Sequence, residues 1–489
     1  MPKIVALMAV LLIVAGTVAS LSLSKAQTPK RPNIIFLLSD DEDIKLHEFM
    51  PKTKALLENQ GTKFNNFFVT YSLCCPSRSS ILRGQYPHNT KVEGNQMPEG
   101  GFEKFLSLGL ENSTIATWLK AGGYRTVFMG KYLNGYGNQG TDPTHVPPGW
   151  SEWYGAIGSK PYSEYNYQLN ENGTAVSYGN QPQDYLVDVL AGKAQKVIEQ
   201  GASSSDPFFL YLASFVPHQP ATPAPRHAQL FLDSKLPQPA SFNEANVSDK
   251  PKQIGARALL NARQIMQLGM LYRKRLQSLQ AMDDLVERVI NTLKATGQLE
   301  NTYIVYTSDN GFHLGEHRQM QGKNMPYEED IRVPMMVRGP GIASGKVIDQ
   351  IALNNDFAPT FAEIAGIGTP AFVDGRSLLN LWHGTAPTTW RSSFMVERRG
   401  GKSQAQTELG DENSSPMSFN AIRTKDHTYV EWGDGGRELY DLTRDPNQLE
   451  NQVNTNAALV KTLSSRLKEL STCVAETCRK LEDAAINMP

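Results

Sequence analysis

The 489-residue chain is short of cysteine, carries no excess of charge of either sign and shows no internal repeat. Its 48 Lys and Arg residues balance 49 Asp and Glu residues, which excludes the basic surface that binds nucleic acid or anionic membranes. Beyond the N-terminus no apolar stretch is long enough to span a bilayer, so no stable membrane insertion is expected. With 40% hydrophobic and 20% charged residues, the chain has the composition of a globular protein, and its length favours one large domain plus a smaller one.

The four cysteines fall into two close pairs. In an oxidising compartment we expect Cys473 and Cys478 to form a small-loop disulfide worth roughly 2 kcal/mol, with two free thiols as the alternative. Cys74 and Cys75 are adjacent, and adjacent cysteines rarely bridge each other because the geometry is strained. Zinc sites usually space their ligands by about two to four residues, so this pair taken alone indicates buried structural thiols.

The N-terminus has the pattern of a secretory signal peptide. Lys3 precedes an apolar stretch at residues 4–18, and small residues follow, so residues 1–26 are predicted to be removed. A retained membrane anchor is the alternative. We therefore expect a secreted, periplasmic or lysosomal protein, and four Asn-x-Ser/Thr triplets offer glycosylation sites in a host that glycosylates: Asn112, Asn172, Asn246 and Asn413.

Four continuous apolar runs are typical of parallel strands buried on both faces. In open α/β sheets the carboxyl ends of such strands face the ligand crevice. Helical patterns at 115–121 and 256–295 lie between the runs, and this alternation predicts an α/β fold with a mostly parallel sheet sandwiched by helices. Each run ends close to a charged or ligand-forming residue: Asn33–Leu38 before Asp40, Thr126–Met129 before Lys131, Phe208–Phe215 before His218, and Tyr303–Thr307 before Asp309.

The residue composition of two other regions does not fit the α/β pattern. Residues 135–180 are rich in Gly, Pro, Tyr and Asn and predict long irregular loops. After Trp382 a linker indicates a boundary, so we predict a large α/β domain at 27–382 and a C-terminal α+β domain at 383–489, in which a helix packs on an antiparallel sheet. Its predicted elements are strands at 394–396, 418–423 and 427–432 and a helix from about 457 to 470.

Acidic and amide side chains follow two of the predicted strands. Asp40 and Asp41 come after the first, and Asp309 and Asn310 come after the last. Such hard oxygen ligands suit calcium or magnesium, and helix capping is the alternative use of Asp and Asn. We predict one calcium ion here and expect that without a cation at least one of the crowded carboxylates becomes protonated. Asp43, in the same acidic run, is predicted to lie in a solvated turn.

The string Cys74-Cys75-Pro76-Ser77-Arg78, continued by Leu82 and Gly84, changes the interpretation of the first cysteine pair. It resembles the Cys-x-Pro-Ser-Arg-x-x-x-Leu-x-Gly signature of the type I sulfatases, in which a modifying enzyme oxidises the first cysteine to formylglycine. Counting from the second cysteine would place serine where proline is required, so the register selects Cys74. The resemblance covers residues 31–478 and implies an alkaline-phosphatase-like fold and a sulfuric ester hydrolase.

In that family the aldehyde hydrates to a diol, and one hydroxyl, deprotonated with help from the residue that corresponds to Asp309, attacks sulfur. The resemblance implies two partners, a formylglycine-generating enzyme and a sulfated carbohydrate or aryl sulfate substrate. The calcium ligands that it implies are Asp40, Asp41, Asp309, Asn310 and the modified residue 74. The residues that it implies for charge stabilisation are Arg78, Lys131 and Lys323, and those for protonating the leaving alcohol are His218 or Lys323.

One position departs from the family's pattern. Many arylsulfatases have a histidine two residues after the lysine that corresponds to Lys131, and here that residue is Leu133. The identity of the base that expels sulfate is therefore an open question. His313 and His317 are candidates, and a structural role is the alternative for both.

The strings Gly130-Lys-Tyr-Leu-Asn134 and His145-Val-Pro-Pro-Gly-Trp150 resemble most the N-acetylglucosamine-6-sulfatases and extracellular heparan endosulfatases, and some algal and microbial arylsulfatases share them. The implied substrate is a 6-O-sulfate of an N-acetylglucosamine-type sugar or an aryl sulfate. Two alternatives stand beside this hypothesis. One is a phosphodiester or phosphonate monoester hydrolase of the same fold. Asn310 argues against it, because this residue favours a hard ion. The other is a secreted binding protein that has lost catalysis.

Overall fold

The computed structural model describes residues 31–138, 140–400 and 417–486. The predicted signal peptide and Asn413 lie outside the described residues. Within them, no helix has both the length and the apolar character needed to cross a membrane. The strands there are β1 (Asn33–Ser39), β2 (Thr62–Phe64), β3 (Phe67–Phe68), β4 (Arg125–Gly130), β5 (Glu152–Ala156), β6 (Gln168–Glu171), β7 (Thr174–Ser177), β8 (Phe208–Ala213), β9 (Thr302–Ser308), β10 (His313–Leu314), β11 (Gln321–Gly322), β12 (Met335–Arg338), β13 (Lys346–Ile348), β14 (Ala352–Leu353), β15 (Ser393–Arg398), β16 (Phe419–Thr424), β17 (His427–Trp432) and β18 (Arg437–Asp441).

The helices of the same ranges vary from single turns to nine turns in length. They are α1 (Pro51–Thr53), α2 (Cys74–Arg83), α3 (Pro87–Thr90), α4 (Gly101–Ser107), α5 (Ile115–Ala121), α6 (Leu186–Ala202), α7 (Lys252–Gly255), α8 (Ala262–Ala295), α9 (Glu328–Ile331), α10 (Phe357–Ile364), α11 (Leu379–Trp382), α12 (Ala457–Leu470) and α13 (Glu476–Asp483). The longest, α8, begins six residues later than predicted because Asn261 caps it: the Asn261 side chain accepts from the Gln264 amide, and the Gln264 side chain bonds back.

The main sheet has ten strands in the order β13-β2-β12-β9-β1-β8-β4-β5-β6-β7. Its five central strands, from β9 to β5, run parallel, as predicted, and antiparallel pairs lie toward both edges. The antiparallel edge formed by β5, β6 and β7 lies inside residues 135–180, so the prediction of irregular loops throughout that segment is wrong. The missed signal is Asn172-Gly173, a two-residue hairpin turn with both residues at positive φ.

Strand β1 lies at the centre of the sheet, and all of its residues are buried. Ile35 and Leu37 face a cluster that includes α6 and α8, whereas Ile34, Phe36 and Leu38 face a cluster that includes α2, α5 and α10. Helices therefore cover both faces of the sheet. This explains why the strand reads as a continuous apolar run rather than an alternating one.

The C-terminal region contains a second sheet, in which β15, β16, β17 and β18 pair in order and antiparallel. The three predicted strands and the predicted helix, α12, are all present, and α12 packs on this sheet. A disulfide joins Cys473, which follows α12, to Cys478 in the short helix α13. The α+β expectation for this region is therefore confirmed; the exact domain bounds remain a prediction.

Candidate active site

The sheet register brings the predicted site residues to one edge. Ser39 at the end of β1 lies opposite Ser308 at the end of β9, so Asp40 and Asp309 follow side by side. On the other side, Ala213 of β8 pairs with Leu38 of β1 and with Gly130 of β4. The next residues along these strand ends are Lys131 and the loop that carries His218, which places every predicted strand-end residue at the carboxyl edge.

Cys74 is the first residue of α2, so the positive end of the helix dipole lies at this edge. From the same helix, Arg78 Nε donates to Asp309 Oδ2 at 2.8 Å. The helix ends at Gly84, which has a φ of 67°. A Cβ there would lie 2.9 Å from Val373 Cγ1, so both the conformation and the space explain the glycine in the signature.

Asp41 holds an unusual backbone conformation, with a φ of 64°. Its amide donates to Asp309 Oδ1 at 3.1 Å, and its carbonyl accepts a hydrogen bond from Arg275 Nη2. Arg275 is a buried side chain on α8 and was not among the predicted site residues. The signal in the sequence is a charged residue at helical spacing among the apolar residues Leu268, Tyr272, Leu279 and Met282.

Cationic side chains surround the acidic pair and Cys74. Lys323 Nζ lies 2.6 Å from Asp41 Oδ1 and 2.8 Å from Cys74 Sγ. Lys131 Nζ bonds Asp40 Oδ2, and Cys74 Sγ lies 3.5 Å from Asp40 Oδ1. His218 Nε2 lies 3.5 Å from Asp41 Oδ2. Two lysines therefore place positive charge beside residue 74 and its acidic neighbours.

These charges control the ionisation of the site. Burial would raise the pKa of Asp40 and of Asp41, but Lys131 next to the first and Lys323 next to the second hold both below their ordinary values. For Asp40 and Asp41 this contradicts the expectation that a carboxylate becomes protonated without a metal ion, because the sequence could not show how closely the lysines approach. Burial, together with the charge of Asp40, raises the pKa of the Cys74 thiol well above its usual value.

The residues fit a hard cation. Asp41 Oδ2 and Asn310 Oδ1 are buried, and neither has a hydrogen-bond partner among the described residues. Asp40, Asp41, Cys74 and His218 each offer a ligand atom, and these atoms lie within 4.8 Å of one another. Buried oxygens without donors are costly unless a cation binds them, and carboxylate and amide oxygens are those that calcium prefers.

Asp43 contradicts its prediction of a solvated turn. Its side chain is buried: Oδ1 accepts from the Leu46 amide at 3.0 Å, and Oδ2 lies 3.3 Å from Arg275 Nη2. Burial outweighs Arg275 and Lys45 and raises the pKa of Asp43. The acidic run is thus folded inward by Arg275, which bonds both Asp41 and Asp43 from a helix more than 200 residues away in the chain.

The two additional histidines lie beside the site rather than among its ligand atoms. His313 pairs in register with Gly322, the residue before Lys323, and its Nδ1 lies 2.8 Å from Asp330 Oδ1. His317 Nδ1 lies 2.7 Å from Glu244 Oε2. Leu133, which stands where the resemblance would place a histidine, is buried among apolar side chains. A role for either histidine as the base therefore stays a prediction.

A cleft of about 1290 Å³ opens onto the site. Lys131 and His218 lie in its lining together with Tyr162, Leu133 and Gln219. The lining also includes residues of α8, among them Met270, which is 49% exposed. Hard oxygen ligands, the cations Arg78, Lys131 and Lys323, and a helix N-terminus thus lie together, in an arrangement that could hold a metal ion and the ester of an oxyanion.

Comparison with known proteins gives the family. The Sulfatase family model matches residues 32–367, and that of the N-sulphoglucosamine sulphohydrolase C-terminal region matches residues 315–473. The chain belongs to the sulfatase family, whose members are sulfuric ester hydrolases. It is 37% identical to human N-acetylglucosamine-6-sulfatase over 478 residues, which cover 92% of this chain and 86% of the human protein.

Two further similarities extend the comparison. The chain is 40% identical over 379 residues to an extracellular sulfatase Sulf-1 homologue of Caenorhabditis elegans, which covers 75% of this chain but only about half, 52%, of that longer protein. A solved structure of a protein in complex with its substrate D-glucosamine-2-N,6-O-disulfate superposes with a TM-score of 0.77 at 24% identity, covering 93% of this chain and 99% of the other. The superposition confirms the alkaline-phosphatase-like fold.

Proposed function

We propose that the protein hydrolyses sulfate monoesters with a formylglycine made from Cys74 and one calcium ion. The observation that carries this proposal is the position of Cys74 Sγ, 2.8 Å from Lys323 Nζ and within 4.8 Å of ligand atoms of Asp40, Asp41 and His218. A structural thiol has no need of such a setting. Calcium would be held by Asp40, Asp41, Asp309, Asn310 and residue 74.

The chain's own residues then have separate tasks. Lys131, Lys323 and Arg78 surround residue 74 with positive charge, which stabilises the sulfate oxygens as negative charge develops on them. His218 or Lys323 gives a proton to the leaving alcohol as the S–O bond breaks. When present, the hydrated aldehyde supplies the oxygen nucleophile, and calcium polarises the sulfate group. Asp309 orients Arg78 and the Asp41 backbone from the strand end.

For the substrate, we infer a 6-O-sulfate of an N-acetylglucosamine-type sugar or an aryl sulfate. The human relative is named for the first, and the partner in the similar solved structure is a 6-O-sulfated glucosamine. The cleft is large enough to hold a sugar beside Lys131 and His218. We further propose that the protein is exported by the N-terminal segment and meets a formylglycine-generating enzyme on the way.

The test is a comparison of rates. The full chain is produced with a formylglycine-generating enzyme, purified in calcium, and assayed on N-acetylglucosamine-6-sulfate, an aryl sulfate and an aryl phosphate diester. We expect the sulfate esters to be hydrolysed faster. A faster phosphate rate would move the protein to the phosphodiester hydrolases of this fold, and tight binding of sulfated sugar without turnover would indicate a binding protein.

A further inference from the structure

Tyr162 lies on the 3-10 turn Lys160–Ser163 between β5 and β6 and contacts two of the proposed catalytic side chains. Its ring centroid is 4.6 Å from that of His218, and Lys131 Nζ lies 5.0 Å from the same centroid. Phe215 packs edge-on against it at 4.9 Å. One aromatic side chain thus spans both residues at the point where the cleft reaches the site.

The position of this ring is fixed from several directions. Phe215 supports it in a perpendicular arrangement, and Asn134 Nδ2 donates to its hydroxyl at 3.3 Å. Lys131 also bonds Asp40, so the lysine has an anchor independent of Tyr162. Tyr162 is part-buried and lines the cleft, so part of the ring remains available to a ligand. A rigid aromatic surface of this kind binds rings at a small entropic cost.

The position of the cleft relative to residue 74 determines which part of a substrate contacts the Tyr162 ring. The sulfate group must lie at residue 74, where Lys323 and the acidic strand ends converge. Tyr162 lines the cleft together with Lys131 and His218, whereas Cys74 and Lys323 lie outside its lining, so the group next to the ring is the leaving alcohol rather than the sulfate. Pyranose rings and aryl groups present apolar faces that pack on aromatic side chains, whereas a short acyclic alcohol does not.

We propose that Tyr162 is a specificity-determining residue, whose ring packs against the leaving alcohol and selects sulfate esters of ring-bearing alcohols over acyclic ones. This inference rests on the proposed function. It adds to that function a named residue and a substrate preference. The hydroxyl has a supporting role, because its hydrogen bond from Asn134 orients the ring.

The experiment compares wild type, Tyr162→Phe and Tyr162→Ala on a pyranose 6-sulfate and on a short acyclic alkyl sulfate. We expect Tyr162→Ala to lower kcat/KM for the pyranose ester roughly three- to tenfold more than for the acyclic ester, with most of the extra loss in KM. Tyr162→Phe should keep the wild-type preference to within about twofold, because the ring remains. Inhibition by inorganic sulfate, which has no leaving alcohol, should change little in either variant.

The matched control is Tyr165→Ala, since Tyr165 follows the same turn but packs against Tyr185 at 5.5 Å and does not line the cleft. It should leave the preference between the two esters unchanged. An unchanged preference in Tyr162→Ala, or an equal loss of sulfate inhibition, would overturn the inference, because Tyr162 would then only support Lys131. Absence of sulfatase activity in wild type would instead count against the proposed function. The unfolding midpoint of each variant shows whether that variant is folded.

Discussion

Lys323 Nζ lies 2.8 Å from Cys74 Sγ, whereas the adjacent Cys75 points into the apolar cluster beside α2. The backbone amide of Cys75 donates to Asn95 Oδ1 at 2.9 Å, which fixes the start of the helix. Both cysteines are buried, and the first lies against the charged groups of the site. The register derived from Pro76 and this geometry therefore select the same sulfur atom.

We predict that Cys74→Ala abolishes sulfatase activity without unfolding the protein. The side chain contacts catalytic charges rather than the apolar core, so its loss removes the reactive group and little packing. Cys75→Ala should keep much of the activity but unfold at a lower temperature, because it removes a buried sulfur from the core. A tryptic peptide that spans Cys74 from active protein should have the mass of the aldehyde. The reverse behaviour of the two variants would contradict the assignment.

We predict that calcium stabilises the folded protein and that Asp309→Ala weakens both calcium affinity and activity. The substitution removes a carboxylate that receives the Asp41 amide and pairs with Arg78, so the strand ends lose their alignment. A ligand that binds only the folded state raises its stability by about 2.7 kcal/mol at 100 times its Kd. Calorimetric titration of calcium and the unfolding midpoint with and without calcium are the measurements.

The control for this prediction is a chelator experiment on wild type. Dialysis against excess chelator should lower the rate, and added calcium should restore it. Purified active enzyme that contains neither calcium nor magnesium, or that keeps its full rate after prolonged dialysis, would show that no metal ion takes part.

We predict that Asp43→Ala lowers the unfolding free energy by roughly 1–3 kcal/mol, as expected when a buried polar partner is lost. The carboxylate caps the turn at Leu46 and pairs with Arg275, which also binds the Asp41 carbonyl. The same substitution should lower calcium affinity, because Arg275, which binds the Asp41 carbonyl, loses one of its hydrogen-bond partners. Urea unfolding measures the first effect. Asp233→Ala, at an exposed position, is the control, and equal stability of the two variants would refute the prediction.

The sequence predicted those parts of the site that depend on local pattern and topology. Asp40 and Asp309 follow apolar runs, and parallel strands in register bring such residues together without any knowledge of side-chain packing. Arg275 and Tyr162 escaped prediction because their roles arise from contacts between distant segments. Asp43 was misassigned for the same reason: a run of four acids looks solvated until a buried arginine from α8 is placed against it.

We predict that the junction between α3 and the C-terminal sheet loses stability as pH rises. His88 Nδ1 lies 2.8 Å from Glu397 Oε1, and Nε2 lies 3.0 Å from the Cys473 carbonyl oxygen. Burial alone would lower the pKa of His88, but Glu397, the carbonyl and Asp374 raise it above its usual 6.5. The protonated ring therefore stabilises the fold fully below about pH 6.5, and this contribution is lost as pH rises through the folded-state pKa.

The measurement is the unfolding midpoint of wild type and His88→Gln at about pH 5.5 and about pH 8.5, on either side of the ordinary histidine pKa. The substitution should lower the midpoint more at the acidic pH, since the charged ring pairs with Glu397 only there. Asn89→Ala is the matched control, because Asn89 Nδ2 also donates to the Cys473 carbonyl but does not titrate. Its loss of stability should be the same at both pH values. An equal effect of His88→Gln at both would show that the ring acts only as a neutral hydrogen-bonding group.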